Sequence, residues 1–109
     1  MTRKALLLVH SNAVDGQDDD FNSWYDQVHI PQLLERVPGV VRASRYEASP
    51  DRRPLPERYL AVYEIEADDP AAVVKAINKA AAGGELDMSP AMDVSRPPVM
   101  ALYEPLGGR

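Results

Sequence analysis

The sequence predicts an α+β domain in which two helices pack on one face of a four-stranded antiparallel sheet. Three observations lead to this fold class. Segments with strand and helix character alternate in the order strand, helix, strand, strand, helix, strand. Pro-Gly, Asp-Pro and Gly-Gly pairs separate the helical segments from the neighbouring strands. The chain of 109 residues is long enough for one domain and too short for two, so residues 1–109 are expected to form a single unit.

The first strand and the first helix follow from composition and spacing. Residues 4–12 contain five successive apolar residues without alternation, which is typical of a central strand covered on both faces. The first helix is expected from about residue 20 to about residue 37, after three successive aspartates that suit a helix N-terminus. Pro31 lies inside this helix, lacks a backbone N–H and disfavours helical geometry at Ile30. We therefore expect a kink or a restart beside His29.

The remaining elements follow from alternation and from turn residues. Residues 40–49 and 58–66 are expected to form the second and third strands, joined by a proline-rich polar loop. The second helix is expected over residues 70–82, from an Asp-Pro start to a Gly-Gly stop. Residues 85–96 have no clear period and are expected to form a short helix or a lid-like loop. Residues 99–104 are expected to form the last strand.

This order of elements is that of the ferredoxin-like βαββαβ fold, with a four-stranded antiparallel sheet. Both helices lie on one face, yet the strands carry apolar side chains toward both faces. An uncovered sheet face of that kind would be a large apolar patch on a monomer. We therefore expect a homodimer in which the two sheets pack face to face.

Composition argues against several classes of function. A formal net charge of −5 at pH 7, with no local cluster of Lys or Arg, argues against a nucleic-acid partner. Cysteine is absent, and the chain has only two histidines, so we expect no zinc or other metal site. No phosphate-binding or dinucleotide-binding glycine motif is present, so no cofactor is expected. No segment is long and apolar enough for a bilayer, so we expect a cytoplasmic protein with no membrane partner.

The candidate chemistry is concentrated in residues 20–31, which hold the only Trp, the only Phe and one of the two His of the chain. At helical spacing Trp24 and Tyr25 share a face, and His29 follows Tyr25 by one turn. Asp26 precedes His29 by three residues, so its carboxylate is expected to hold one ring nitrogen and raise the basicity of the other. We predict that His29 transfers a proton, that Asp26 orients it, and that Tyr25 donates to an oxyanion.

A purely structural interpretation stands beside this one. In it, His29 only hydrogen-bonds the carbonyl of Gln27 that Pro31 leaves free, and Trp24 and Tyr25 belong to the core.

Further substrate-binding candidates lie on the strands. Tyr46 or Tyr63 would donate a hydrogen bond from the sheet, depending on which face turns inward. Arg45 would bind an anionic group of the substrate if it points inward. His10 on the first strand would line either the dimer interface or the pocket. Trp24 would add an aromatic wall for an electron-rich substrate.

Four segments resemble a known family. Phe21-Asn22-Ser23-Trp24-Tyr25-Asp26-Gln27-Val28-His29-Ile30-Pro31, then Pro38-Gly39-Val40, Arg45-Tyr46 and Arg58-Tyr59-Leu60-Ala61-Val62-Tyr63-Glu64 are similar to EthD-like proteins of the dimeric α/β-barrel superfamily. The resemblance implies a ferredoxin-like subunit, a dimer, and a pocket between the sheet and the helices. It implies no single reaction, because relatives include cyclases, an isomerase, cofactor-free monooxygenases and haem-handling proteins.

The first hypothesis for function is a small cofactor-independent enzyme of the cyclase, isomerase or lyase type. It would act by general acid/base catalysis on a carbonyl-bearing or aromatic, polyketide-like small molecule. The second is a non-catalytic small-molecule-binding or accessory protein. A cofactor-free monooxygenase is a third, and haem binding through His29 a fourth.

Overall fold

The computed structural model describes residues 1–108 and confirms the predicted α+β fold. Its sheet has the order β2-β3-β1-β4, and each neighbouring pair is antiparallel. The strands are β1 (Arg3–Ser11), β2 (Val40–Glu47), β3 (Tyr59–Ala67) and β4 (Val99–Tyr103). The second predicted helix is present at Pro70–Ala82, between its Asp-Pro start and its Gly-Gly stop, and the last predicted strand follows it.

The first helix is a continuous run of three segments rather than a broken helix. They are α1 (Asp18–Trp24), a π-helical turn (Tyr25–His29) and α2 (Ile30–Arg36); the helix at Pro70–Ala82 is α3. The prediction that Pro31 displaces Ile30 from helical geometry is wrong, because Ile30 has φ −61° and ψ −48°. Its N–H donates to the carbonyl of Tyr25, five residues back. The wider turn shifts the hydrogen-bond ladder just before the proline, so the chain stays helical without the missing donor.

The core lies between the helices and one face of the sheet, which we call the inner face. Alternate residues of β1 and β3 point into it, so that Leu7 lies opposite Tyr63 in the register. Phe21 and Leu33 reach it from the first helix and Ile77 from α3, and all are buried. Burial of these large apolar side chains is the main source of stability that the sequence pattern predicts.

The other face of the sheet, the outer face, is open to solvent in the single chain. Leu8 lies at its centre between Val62 and Ala101, and the neighbouring row pairs Leu6 with Tyr103. Leu6 is 41% exposed and Tyr103 55% exposed. Within one chain, therefore, β1 is covered on one face only, in contrast to the two-sided cover that its composition predicts.

The segment after α3, residues 85–96, forms neither a helix nor a strand and crosses one end of the inner face. We call it the strap. At its start, the amide of Asp87 donates to Gln32 Oε1, while Gln32 Nε2 donates to the Asp87 carboxylate, both at 2.8 Å. At its end, Met92 forms an isolated β-bridge with Ala13. Attachment at both ends holds the strap over the space between the sheet and the helices. None of the helices within residues 1–108 has the length and hydrophobicity that a bilayer crossing needs.

Candidate functional site

A cavity of about 270 Å³ lies beneath the strap, between the inner face, the first helix and α3. Most of its wall is apolar, and its polar members are two tyrosines, a histidine, a serine and an asparagine. The lining residues are Leu7, Val9, Ser11, Tyr25, His29, Leu33, Tyr63, Ile77, Asn78, Ala81, Met88, Met92, Pro98 and Met100. An apolar hollow with a few convergent polar groups is the usual form of a small-molecule site.

His29 reaches this cavity from the last position of the π-helical turn and is nearly enclosed by aromatic rings. Its imidazole stacks on Trp24, with ring centroids 4.5 Å apart, and meets the edge of Tyr25 at 5.0 Å. Only 9% of the residue is exposed, and Nδ1 is buried without a hydrogen-bond partner. Burial lowers the pKa of His29 to about 4, because the imidazolium would lose its hydration here. His29 is therefore uncharged at neutral pH, and Nε2 is the nitrogen left to meet a ligand.

Two tyrosines form a hydroxyl pair on the cavity wall beside His29. The hydroxyl of Tyr63 donates to the hydroxyl of Tyr25 at 3.1 Å. Burial raises the pKa of both phenols, so both are protonated at neutral pH. A hydroxyl that accepts one hydrogen bond keeps its own proton free, so Tyr25 can donate to a ligand oxygen.

Arg45 lies outside the cavity, behind Tyr25. Its guanidinium carbon is 4.5 Å from the centroid of the Tyr25 ring. Nη1 donates to Asp26 at 3.0 Å and Nη2 to Asn22 at 2.8 Å, and the side chain is only 14% exposed. Arg45, expected to bind an anionic group only if it pointed inward, lies on the helix side of the sheet but faces the first helix and does not line the cavity.

The predicted contact between Asp26 and His29 is wrong. The Asp26 side chain is 61% exposed and pairs with Arg45, while Nδ1 of His29 has no partner. The π-helical turn explains the difference, because a residue three positions away no longer faces the same side when the helix widens. The structural interpretation, in which His29 hydrogen-bonds the carbonyl of Gln27, is not supported at Nδ1, which is buried without a partner.

The structure separates the remaining candidates into two groups. Tyr63 lines the cavity with His29 and Tyr25, and Trp24 forms the wall behind His29. Tyr46 and His10 lie on the outer face, where both pair in register with Leu60 of β3. They belong to the surface expected to meet a second subunit and cannot share a ligand with His29 across the sheet.

The strap supplies cavity residues that the sequence did not predict as site residues. Met88 and Met92 both line the cavity, where flexible methionine side chains suit adaptable packing. Trp24 Nε1 donates to the carbonyl of Asp87 at 2.7 Å, so the indole that stacks on His29 also holds the strap. Ser11 and Asn78 complete the polar part of the wall. Ser11 was detectable in principle, because it continues the inward alternation of Leu7 and Val9. Among residues 1–108, no group of three or more His, Asp or Glu is arranged to hold a metal ion.

Comparison with known proteins identifies the fold and not the reaction. No family model matches the sequence, and no curated protein matches it. A crystal structure of a MhuD variant with two manganese protoporphyrin IX molecules per active site aligns with a TM-score of 0.65 at 15% identity, over 96% of this chain and 97% of that chain. A putative monooxygenase from Shewanella loihica aligns with a TM-score of 0.62 at 11% identity, over 99% of both chains.

An EthD-like protein from Ralstonia eutropha aligns with a TM-score of 0.58 at 14% identity, over 100% of this chain and 97% of that chain. The predicted resemblance to EthD-like proteins is therefore confirmed at the level of the fold. At these identities the likeness carries no substrate or residue role from one protein to another.

Proposed function

We propose that the protein is a small cofactor-independent enzyme that acts by general acid/base catalysis on a carbonyl-bearing or aromatic small molecule. The observation that supports this most directly is the uncharged, partly unpartnered His29 facing an apolar cavity beside a tyrosine hydroxyl pair. The imidazole of His29 packs against Trp24 and Tyr25 but makes no hydrogen bond at Nδ1 that would hold the fold. Polar groups left available in an apolar cavity are typical of a site that supplies them to a ligand.

In this mechanism His29 accepts a proton from the substrate at Nε2, with its resting proton on Nδ1. The low pKa makes the free imidazole a weak base. Negative charge that develops on the substrate raises its basicity, because an ion pair in a water-poor site is strongly attractive. Tyr25 donates a hydrogen bond to the oxygen on which that charge develops and keeps its proton, and Tyr63 fixes the position of Tyr25.

Deuterium exchange into acetophenone tests this reaction class. Removal of a methyl proton next to the carbonyl and return of a deuteron from D2O is followed by NMR as loss of the methyl signal. We expect His29→Gln to slow the catalysed exchange by about 10²-fold. His10→Gln, which removes the other imidazole on the opposite sheet face, should leave the rate unchanged. Full exchange activity in His29→Gln, or no catalysed exchange by the wild-type protein, would contradict the proposal.

A cofactor-free monooxygenase is the second candidate, favoured by the largely apolar wall of the cavity, which suits an electron-rich aromatic substrate. A solved structure with the same fold is named a putative monooxygenase. With hydroquinone, His29 would again remove a proton, and the substrate would supply all four electrons to O2. One oxygen atom would enter the ring to give hydroxybenzoquinone and the other would leave as water. Oxygen uptake with hydroquinone that depends on His29, without exchange into acetophenone, would favour this candidate.

A binding or accessory protein without chemistry remains distinguishable from both enzymes. In that case His29→Ala would lower the free energy of unfolding while the affinity for an aromatic ligand stays the same.

A porphyrin does not fit the cavity as it is built. The cavity volume of about 270 Å³ is below the roughly 300–1,000 Å³ of pockets that hold drug-sized ligands. The imidazole of His29 is also held between Trp24 and Tyr25. The proposed chemistry therefore uses no haem, although MhuD, with the same fold, binds manganese protoporphyrin IX.

We also propose that the outer face is the interface of a homodimer. The support is its central apolar row, Val62, Leu8 and Ala101, and the exposed Leu6 and Tyr103 beside it. A Val62→Lys variant, which introduces a charge at the centre of the outer face, should be monomeric by light scattering at a concentration where the wild-type protein is dimeric. A wild-type protein that is monomeric at micromolar concentration would contradict the dimer.

A further inference from the structure

The cavity contains no charged side chain that could pair with a charged ligand. None of its lining residues is Asp, Glu, Lys or Arg. His29, the one titratable base in the wall, is held in the uncharged form by burial. A carboxylate moved from water into this space would lose hydration worth several kcal/mol and find no counter-ion. A carbonyl group loses much less, and a single hydrogen bond offsets most of that loss.

The positive charge of Arg45 is separated from the cavity by the Tyr25 ring. The guanidinium of Arg45 lies 4.5 Å from the centroid of that ring, and one of its nitrogens is paired with Asp26. The Nε atom of Arg45 is buried without a partner, so the guanidinium is placed against the ring at some energetic cost. Asn22 holds the other terminal nitrogen and completes this placement.

Arg45 and Tyr63 both strengthen Tyr25 as a donor. The hydrogen bond from Tyr63 and the positive charge of Arg45 each lower the pKa of the Tyr25 phenol, while burial raises it by more. The phenol therefore stays protonated, and its O–H is polarised by a charge that the ligand does not touch. A ligand oxygen that gains negative charge would be stabilised through Tyr25 rather than by direct contact with Arg45.

We infer that the cavity selects an uncharged aryl ketone or quinone-like ligand whose carbonyl oxygen accepts a hydrogen bond from Tyr25, and that Arg45 is a positioning residue that acts on this oxygen through the Tyr25 ring. This inference deepens the proposed function and takes the identity of the site from it. It replaces the expectation from the sequence that Arg45 binds an anionic group of the substrate.

Three probes of nearly equal shape test the ligand class. Acetophenone, cumene and benzoate each carry a branched group on one benzene ring, and they differ in having a carbonyl, no acceptor or a negative charge. In equilibrium dialysis we expect acetophenone to bind at least about tenfold more tightly than benzoate. Tyr25→Phe should weaken acetophenone about fivefold, the equivalent of one ordinary hydrogen bond, and leave cumene unchanged. Tyr46→Phe, the same substitution on the outer face, should change none of the three.

The carbonyl stretching frequency of bound acetophenone reports the role of Arg45. We expect the frequency in the wild-type complex to lie below that of acetophenone in an apolar solvent such as hexane, because the bound oxygen accepts a hydrogen bond. Arg45→Met should reverse part of this shift, and Arg45→Lys should restore part of it. A residue with a structural role only would change the unfolding free energy without moving the frequency. If Tyr25→Phe does not fold, Tyr63→Phe is the fallback variant: it removes the bond that Tyr25 accepts but keeps the Tyr25 donor, so we expect a smaller loss of acetophenone affinity and no change for cumene.

Benzoate binding as tight as acetophenone, no binding of acetophenone, or a bound carbonyl frequency equal to that in hexane would each overturn the inference. These results are separable from the proposed reaction. A bound ketone with a lowered carbonyl frequency but no deuterium exchange would support the ligand class and refute the reaction. Deuterium exchange together with tight benzoate binding would support the reaction and refute the ligand class.

Discussion

The strongest physical prediction concerns the pH dependence of stability that His29 imposes. Its pKa is about 4 in the folded protein, against an ordinary value of 6.5. Below pH 6.5 the unfolded chain binds a proton at this residue that the folded protein does not bind, so stability falls as the pH falls. The loss begins near pH 6.5 and is complete near pH 4, where the folded protein is protonated too. Its full size is about 3 kcal/mol, at about 1.4 kcal/mol for each tenfold change in proton affinity.

The assay compares the free energies of unfolding in urea at pH 7 and pH 4.5. Between pH 7 and pH 4.5, the difference in His29 protonation should lower the free energy of unfolding of the wild-type protein by about 2.5 kcal/mol. His29→Gln should not show this decrease. Contributions from groups other than residue 29 are common to both proteins and cancel in the comparison. His10→Gln is the matched control and should keep the pH dependence of the wild-type protein. Parallel curves for the wild-type protein and His29→Gln would refute the burial of an uncharged imidazole.

Two further predictions concern packing around the site. Tyr25→Phe leaves the buried hydroxyl of Tyr63 without its acceptor and should lower the free energy of unfolding by about 1–3 kcal/mol. Tyr25→Phe combined with Tyr63→Phe should lower it by less than the sum of the two single substitutions, measured by urea denaturation. Additive losses would contradict the hydroxyl pair. Gly39→Ala should also destabilise by about 1–3 kcal/mol, because Gly39 has φ +98° and a Cβ there would lie 2.9 Å from Val73. Gly84→Ala is its control, with φ +78° and no atom within 4 Å, and calorimetry should show a smaller loss.

The fold was accessible from the sequence because local signals agree with each other. Apolar runs, the Asp-Pro start of α3 and the Pro-Gly and Gly-Gly stops all favour the same order of elements. The strap was not accessible in this way. Its position depends on single polar contacts with distant residues, such as Trp24 to the carbonyl of Asp87. No periodic pattern marks contacts of that kind, so residues 85–96 could be described only as a short helix or a loop.

Site residues were predictable where side chains follow ordinary helical spacing or strand alternation, and unpredictable where the π-helical turn changes the helical spacing. Tyr25 and His29 lie together in the cavity, as their spacing indicates. Asp26 does not join them, because the π-helical turn changes the spacing rule for the five residues that contain it. Alternation correctly puts Arg45 and Tyr46 on opposite sheet faces, but only the assembled sheet determines which face is covered by helices. Because the helices cover the inner face, Tyr63 lines the cavity while Tyr46 and His10 lie on the outer face.

The π-helical turn at Tyr25–His29 also fixes how the first helix tolerates changes in length. Such a turn holds one residue more than the α-helical turn it replaces, so its five residues contain a potential deletion point. Removing one of them would let the ladder close in the ordinary register. Because the π-helical turn already accommodates the additional residue, the following turns would keep their orientation and Leu33 would stay in the core. Deletion of the exposed Gln27 should therefore be less damaging than a one-residue deletion within α1 or α2, beyond which the helix would rotate by about 100°.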